Sequence, residues 1–244
     1  VTYVAWNWLA DNTTGSSNTD GATSSTVSVS TTSNFSIVKW TGTGATTTVG
    51  HGLGTTPQMM IIKNLADADS WVVYHEALGA TKGLTLDTTA AATTASTFFN
   101  NTAPTSSVFT VGASGRANGS GDGQIAYCFA EVEGFSKFTS YEGNASTDGP
   151  FIYCGFRPSF VMIKNADNGT ESWWIQDAAR EPFNDGNMAR LAPDSSAAEA
   201  DNVPWFDFVS NGLKVRYNAG GINSSGTHIV MAFAESPFKT ATAR

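Results

Sequence analysis

The chain repeats itself. Pro57-Gln58-Met59-Met60-Ile61-Ile62-Lys63-Asn64 returns as Pro158-Ser159-Phe160-Val161-Met162-Ile163-Lys164-Asn165, and Ser70-Trp71 returns as Ser172-Trp173. Ile125-Ala126-Tyr127-Cys128-Phe129-Ala130-Glu131 returns as Ile229-Val230-Met231-Ala232-Phe233-Ala234-Glu235, and Phe35-Ser36-Ile37-Val38 matches Phe135-Ser136-Lys137-Phe138. The offset grows from 100 at Phe35/Phe135 to 104 at Ile125/Ile229, as small loop insertions would make it. Collinear matches of this kind are the signature of a duplicated structural unit. Residues 35–134 read as the first unit and 135–244 as the second. Val4-Ala5-Trp6 resembles the closing strand of each unit, so residues 1–34 read as the end of a preceding domain plus a polar arm. The chain is expected to begin within a longer polypeptide.

Each unit reads as β. Thr46 to Val49, Met59 to Lys63, Trp71 to Tyr74, Val108 to Val111 and Gln124 to Ala130 are short runs of β-branched and aromatic residues. Gly, Asn, Asp and Pro clusters separate them, at the spacing of a sandwich. The expected fold is all-β: two tandem antiparallel β-sandwich units of jelly-roll or lectin-like type, related by internal duplication. Ile125, Tyr127 and Phe129 face one way, and Ala126, Cys128 and Ala130 the other. A strand apolar on both faces is buried on both, so each closing strand should be central. Thr26 to Ser30 alternates and fits an edge strand. Helix is expected only at Asp177 to Arg180 and Ser195 to Ala200, with Pro182 and Pro193 as breakers.

Composition limits the partners. Charged residues make up only 14% of the 244, and the net charge is −8. Hydroxyl and amide side chains fill the gap, as in extracellular β-proteins and virion fibres. An acidic chain without a Lys/Arg cluster repels phosphate, so nucleic acid is not an expected partner. No apolar run has the ~18 residues that span a bilayer, and no basic, apolar and cleavage-site sequence marks a signal peptide. Cys128 and Cys154 each lie in an apolar run and read as free buried thiols, with a single bridge as the alternative.

Chemistry-bearing residues do not gather. His51, His75 and His228 lie on separate segments, short of the three or four ligands of a zinc site. No cofactor or metal is expected. His51-Gly52-Leu53-Gly54 aligns with Ile152-Tyr153-Cys154-Gly155, where the imidazole is missing and the last glycine persists. Glu131 and Glu133 would share a strand face and could form a carboxylate pair for glycoside hydrolysis. Glu131 recurs as Glu235, which suits a scaffold position better. Gly112 to Gly123 is a Gly-rich polar loop with no helix after it to cradle phosphate. Asn118 to Asp122 and Asn184 to Asn187 carry oxygen ligands without the EF-hand spacing. The better lead is aromatic. Trp173 and Trp174 must point to opposite faces of a strand, so one can be core while the other looks outward. Trp174, Gln176 and Trp205 are therefore the candidate ligand-binding residues, as a sugar-stacking platform.

Several segments resemble a family of repeat-containing phage proteins, common among marine phages, found in tail-fibre-like and other appendage proteins. The resemblance is carried by Tyr3-Val4-Ala5-Trp6-Asn7-Trp8, Ser17-Asn18-Thr19-Asp20-Gly21, Phe35-Ser36-Ile37-Val38, Val49-Gly50-His51-Gly52-Leu53-Gly54 and Gly155-Phe156-Arg157-Pro158-Ser159-Phe160-Val161-Met162-Ile163-Lys164. Phe233 to Phe238 and the closing Ala243-Arg244 also look like the family's C-terminus. The resemblance implies a place on the virion surface and a C-terminal position in a parent protein, and it supplies no catalytic residues. The expected function is a non-enzymatic tail-fibre or appendage module for host-surface attachment, with a surface glycan as ligand. Other virion proteins are the expected partners, in a homo-oligomer that is a trimer by analogy. The alternatives are a capsid decoration or head-fibre protein and, more remotely, a glycan depolymerase.

Overall fold

A computed structural model describes residues 4–11, 13–180, 183–186, 188–200, 203–218 and 220–234. The chain is nearly all β. After a leading segment come β1 (Ser16–Asn18), β2 (Ser25–Ser30), β3 (Phe35–Thr41), β4 (Thr47–Gly50), β5 (Met59–Asn64), β6 (Val72–His75), β7 (Lys82–Thr85), β8 (Thr93–Thr94), β9 (Val108–Val111) and β10 (Gly123–Phe129). The second half contributes β11 (Ser136–Gly143), β12 (Phe151–Tyr153), β13 (Pro158–Asn165), β14 (Trp174–Asp177), β15 (Phe206–Val209), β16 (Gly212–Val215) and β17 (Gly226–Ala234). Among the described residues helix is confined to a 3-10 turn at Glu76–Leu78 and to α1 (Ser96–Phe99), α2 (Gly115–Asn118) and α3 (Gly220–Asn223), one turn each. None is long and apolar enough to cross a membrane.

The strands form antiparallel sheets. The largest runs β1-β2-β3-β10-β5-β6-β7-β8, and a pair, β4-β9, covers one of its faces. In the second half the order is β11-β17-β13-β14, covered by β12-β16-β15. The closing strands are central as expected: β10 pairs with β3 and β5, and β17 with β11 and β13. The order β3-β10-β5-β6 in the first half thus has the same succession and directions as β11-β17-β13-β14 in the second.

Period-2 alternation sorts the side chains into three cores. Val38, Trp40, Met60, Ile62, Ala126 and Cys128 face β4-β9 and close the first sandwich. Tyr141, Val161, Ile163, Val230 and Ala232 face β12-β16-β15 and close the second. The opposite faces of the two large sheets meet in a third core, where Phe35, Met59, Val73 and Phe129 of one pack on Phe138, Phe160, Trp173 and Phe233 of the other. The apolar character of both faces of β10 and β17 is explained by this seam. From the leading segment Trp6, Trp8 and Ala10 also enter it; the Trp8 ring lies edge-on 5.3 Å from Phe160 and 6.2 Å from Phe129.

Several local expectations are corrected. Asp177 closes β14, and residues 178–180 form a turn whose Arg180 N–H donates to Asp177 Oδ1 at 2.9 Å. A carboxylate that satisfies the turn leaves no helix to start there. Residues 195–199 have no regular structure. The Gly-rich loop 112–123 contains α2. β2 is not the outermost strand, because β1 pairs with it at Ser17↔Thr26. The leading segment from Val4 to Asp11 forms no strand, and Val1 to Tyr3 lie outside the described residues, as do Glu235 and the rest of the C-terminal motif.

Candidate functional site

Trp174, Gln176 and Trp205 do come together, but inside. Gln176 is 1% and Trp205 4% exposed, within the core under the three-stranded sheet, and Trp174 is half-buried at its margin. The two indoles meet edge to face at 4.7 Å, and the Arg190 guanidinium stands 5.3 Å from Trp174 and 4.6 Å from Trp205. Trp173 and Trp174 point to opposite faces, and both faces are covered. Trp173 enters the seam and donates its Nε1–H to Thr85 O at 2.9 Å. Sequence alternation gives the faces correctly but cannot reveal that a second layer lies on each. An outward sugar platform does not exist at these three residues.

The other candidates fall into separate places. His51 is fully buried, its Nδ1 accepting from Leu53 N–H and its Nε2 facing Thr105 O. His75 accepts from Ala77 N–H on Nδ1, which leaves Nε2 to donate to Val230 O across the seam at 3.3 Å. Burial lowers it to about 4, so the ring is neutral at pH 7. His228 rests on Tyr141, ring on ring at 4.9 Å. No group of three or more His, Cys, Asp or Glu side chains placed to hold a metal occurs among the described residues. Cys128 and Cys154 are free and buried in different cores, and burial pushes both thiols up to about 12. Glu131 and Glu133 lie beyond the end of β10, not on a strand, and Glu131 is paired with Lys137 at 2.8 Å.

The loops read for oxygen ligands are instead tied down by buried asparagines. Asn118 Nδ2 donates to Ala45 O and Gly112 O, and its Oδ1 accepts from Thr43 N–H. Asn223 does the same in the second half: Nδ2 donates to Ser146 O and Tyr217 O, and Oδ1 accepts from Asn144 N–H. Each amide replaces backbone partners that a short loop cannot supply. Lys164, fully buried, donates Nζ–H to Asn165 O and Asn168 O, as Lys63 does to Asn64 O and Asp67 O. These cations hold turns.

The exposed aromatic residues point elsewhere. Phe151 is 47%, Tyr153 63% and Phe183 73% exposed. Phe151 and Tyr153 are two apart on β12, so both face away from the core that Ile152 enters. The register sets Phe151 beside Lys214 and Lys214 beside Asp207; Tyr153 lies beside Gly212 and Gly212 beside Val209. A Cβ on Gly212 would come within 3.2 Å of the Phe151 ring, and one on Gly155, whose φ is +82°, within 3.6 Å of the Tyr153 hydroxyl. Both rings therefore lean over glycine backbone, where no side chain lifts them. Two ion pairs border them, Lys214–Asp148 at 2.7 Å and Arg216–Asp207. The Lys214 ammonium holds the Asp148 carboxyl below the usual carboxylate range. Phe183 precedes Asn184, whose side chain exchanges hydrogen bonds with the backbone of Phe208 on β15, the far strand of that sheet.

The first half covers the matching place. His51 N–H bonds to Ser107 O and Cys154 N–H to Asn211 O, so Cys154, not Ile152, stands where His51 stands. Thr48 and Gly50 then correspond to Phe151 and Tyr153. Over them lies the polar arm: Thr23 N–H donates to Thr48 O at 3.0 Å and Ala22 N–H to Thr48 Oγ1 at 2.9 Å. A Cβ on Gly50 would run into the Asn18 side chain. Sequence reasoning missed Phe151 and Tyr153; the signal was aromatic-aliphatic-aromatic alternation between Gly149-Pro150 and Gly155.

Residues 1–237 match the model of a family described as a domain of unknown function, DUF7483. No curated protein and no solved structure matches the chain.

Proposed function

The chain belongs to the DUF7483 family, and from that premise we propose that it is a non-catalytic binding module of a phage virion appendage, which attaches to a host-surface glycan through the outer face of β12-β16-β15. One observation carries the reading: the three most exposed aromatic side chains among the described residues, Phe151, Tyr153 and Phe183, all belong to that sheet or its border. An aromatic ring presented face-on stacks against the C–H face of a pyranose, and flanking charged groups held in place by ion pairs bond the hydroxyls. The hydroxyl-rich, charge-poor composition and the resemblance to phage appendage proteins support the virion surface as its location. An internal duplication is part of the same proposal. It is supported by the shared strand succession and by Asn118 and Asn223 making matching bonds in the two halves.

The test is binding of the purified chain to an array of bacterial surface polysaccharides, followed by titration of any positive. Tyr153→Ala and Phe151→Ala should each weaken binding at least tenfold, while Trp174→Ala, at the core margin, should act through stability instead. No binding to any polysaccharide, or equal binding by the Tyr153→Ala protein, removes the glycan reading. Labelled antibody on intact particles tests the location independently.

A further inference from the structure

The seam between the two large sheets closes unevenly. Phe35, Met59 and Phe129 are buried on its first side, while Ile37, Ile61 and Tyr127, on the same face, are only half-buried. At one end Phe129, Phe138, Phe160 and Phe233 form a continuous cluster of rings 5.9 to 6.1 Å apart. Beside that cluster Trp6 and Trp8 of the leading segment pack on Phe160, and the half-buried side of the first sheet is left uncovered. A cavity of about 430 Å³ opens there. Trp71 and Tyr127 lie nearly parallel on its wall, 6.4 Å apart, with Met162 and Ile175 opposite.

Its chemistry is one-sided. Of fifteen lining residues, Asn7 alone has a side-chain amide, none carries a charge, and the remaining side-chain N–H and O–H groups are those of indoles and one phenol. A hydroxylated or charged ligand would give up its water there without replacement partners, at a cost of several kcal/mol per group. An apolar ligand would instead remove its own surface and the wall's from water together. The volume lies in the range of small-molecule sites. We propose that the seam cavity is a binding site for a small apolar molecule, aliphatic or aromatic. The site is distinct from the outer aromatic face and does not rest on the glycan reading.

Three indoles line the cavity, so tryptophan emission reports its occupancy. The intact chain is titrated with dodecanoate below its micellar concentration and, separately, with 8-anilinonaphthalene-1-sulfonate, each an apolar body whose charged head can stay in water at the cavity's open mouth. At least one probe should shift tryptophan emission saturably, with one site per chain. If only dodecanoate does, the ligand class is aliphatic; if only the dye does, aromatic. Ile61→Trp, which fills the cavity from the β5 side, should weaken binding at least tenfold, with Met162→Phe as the second filling variant should the first fail to fold. Tyr153→Ala should leave binding unchanged. Absence of a saturable response to either probe, or undiminished binding by a filled variant with native near-UV dichroism, overturns the proposal.

Discussion

Single buried polar residues set much of the loop geometry. Asn118 and Asn223 are both fully buried, and each serves backbone groups more than 70 residues away in the chain. Replacing either with Ala strands several of those groups, each costing about 1–3 kcal/mol. Asn118→Ala and Asn223→Ala should therefore each lower stability by about 3 kcal/mol, read as a drop in urea midpoint at unchanged slope. The sequence offers Asn118 only as a loop residue with oxygen to spare, because nothing local reveals that its partners are at Thr43 and Ala45. His75 gives a pH prediction. Burial holds it near 4 in the folded chain, against about 6.5 when unfolded. The unfolded chain takes its proton first, so the contribution of His75 is complete above pH 6.5 and is lost as pH falls from there to 4. The loss amounts to about 3 kcal/mol at most. Urea midpoints between pH 7.5 and 4.5 should fall more steeply for the native protein than for His75→Gln; parallel curves would show that the imidazole carries none of the dependence.

Elements differ in how visibly they are written. β5, β10, β13 and β17 are legible because alternation, β-branched content and Gly or Asn borders agree over six to nine residues. α2 and α3 are four residues each, too short for any helical period. Gly, Ala and Asn there look like loop until the buried Asn at the C-terminal end is seen to need a turn. The helices expected around Asp177 and Ser195 fail for the complementary reason: the segment after β14 is organised by Asp177 as a turn and by Leu191, which bridges to Ile175 at β14's edge. The arm makes an element-level prediction. Gly21 runs so close to β4 that a Cβ would collide with Thr48 O. Gly21→Ala must push the arm off that strand, at about 1–3 kcal/mol for the overpacking. Limited proteolysis should then cut within residues 11–24 faster than in the native chain, while the urea midpoint of the remainder changes little. Unchanged cleavage would mean that the arm is not held at Thr48.

At the scale of the whole molecule the two halves are not independent. Each has its own inner core, and the sequence matches between the halves make that arrangement readable. The seam is harder to read. Apolar residues on both faces of the closing strands announce a second covering layer, but a sequence cannot say that the layer is the other half of the same chain. Nor can it say which tryptophans fill it: Trp6 and Trp8 lie in what reads as the remnant of another domain, yet they pack on Phe160 and Phe233. The candidate binding face was hidden for a related reason. Trp174, Gln176 and Trp205 have the right chemistry for a sugar platform, and only the third dimension shows a sheet above them, with the exposed rings on that sheet's far side. A shared seam couples the halves energetically. A second half produced alone would expose Phe138, Phe160, Met162, Trp173 and Phe233, most of which are buried only by the first half and the leading segment. The intact chain should accordingly unfold in one transition, with tryptophan emission and far-UV dichroism coincident in urea. Trp8→Ala removes a ring that touches both sheets and should cost about 3 kcal/mol. If the seam is weaker than its packing implies, the same substitution splits the unfolding into two steps, and the two probes cease to coincide.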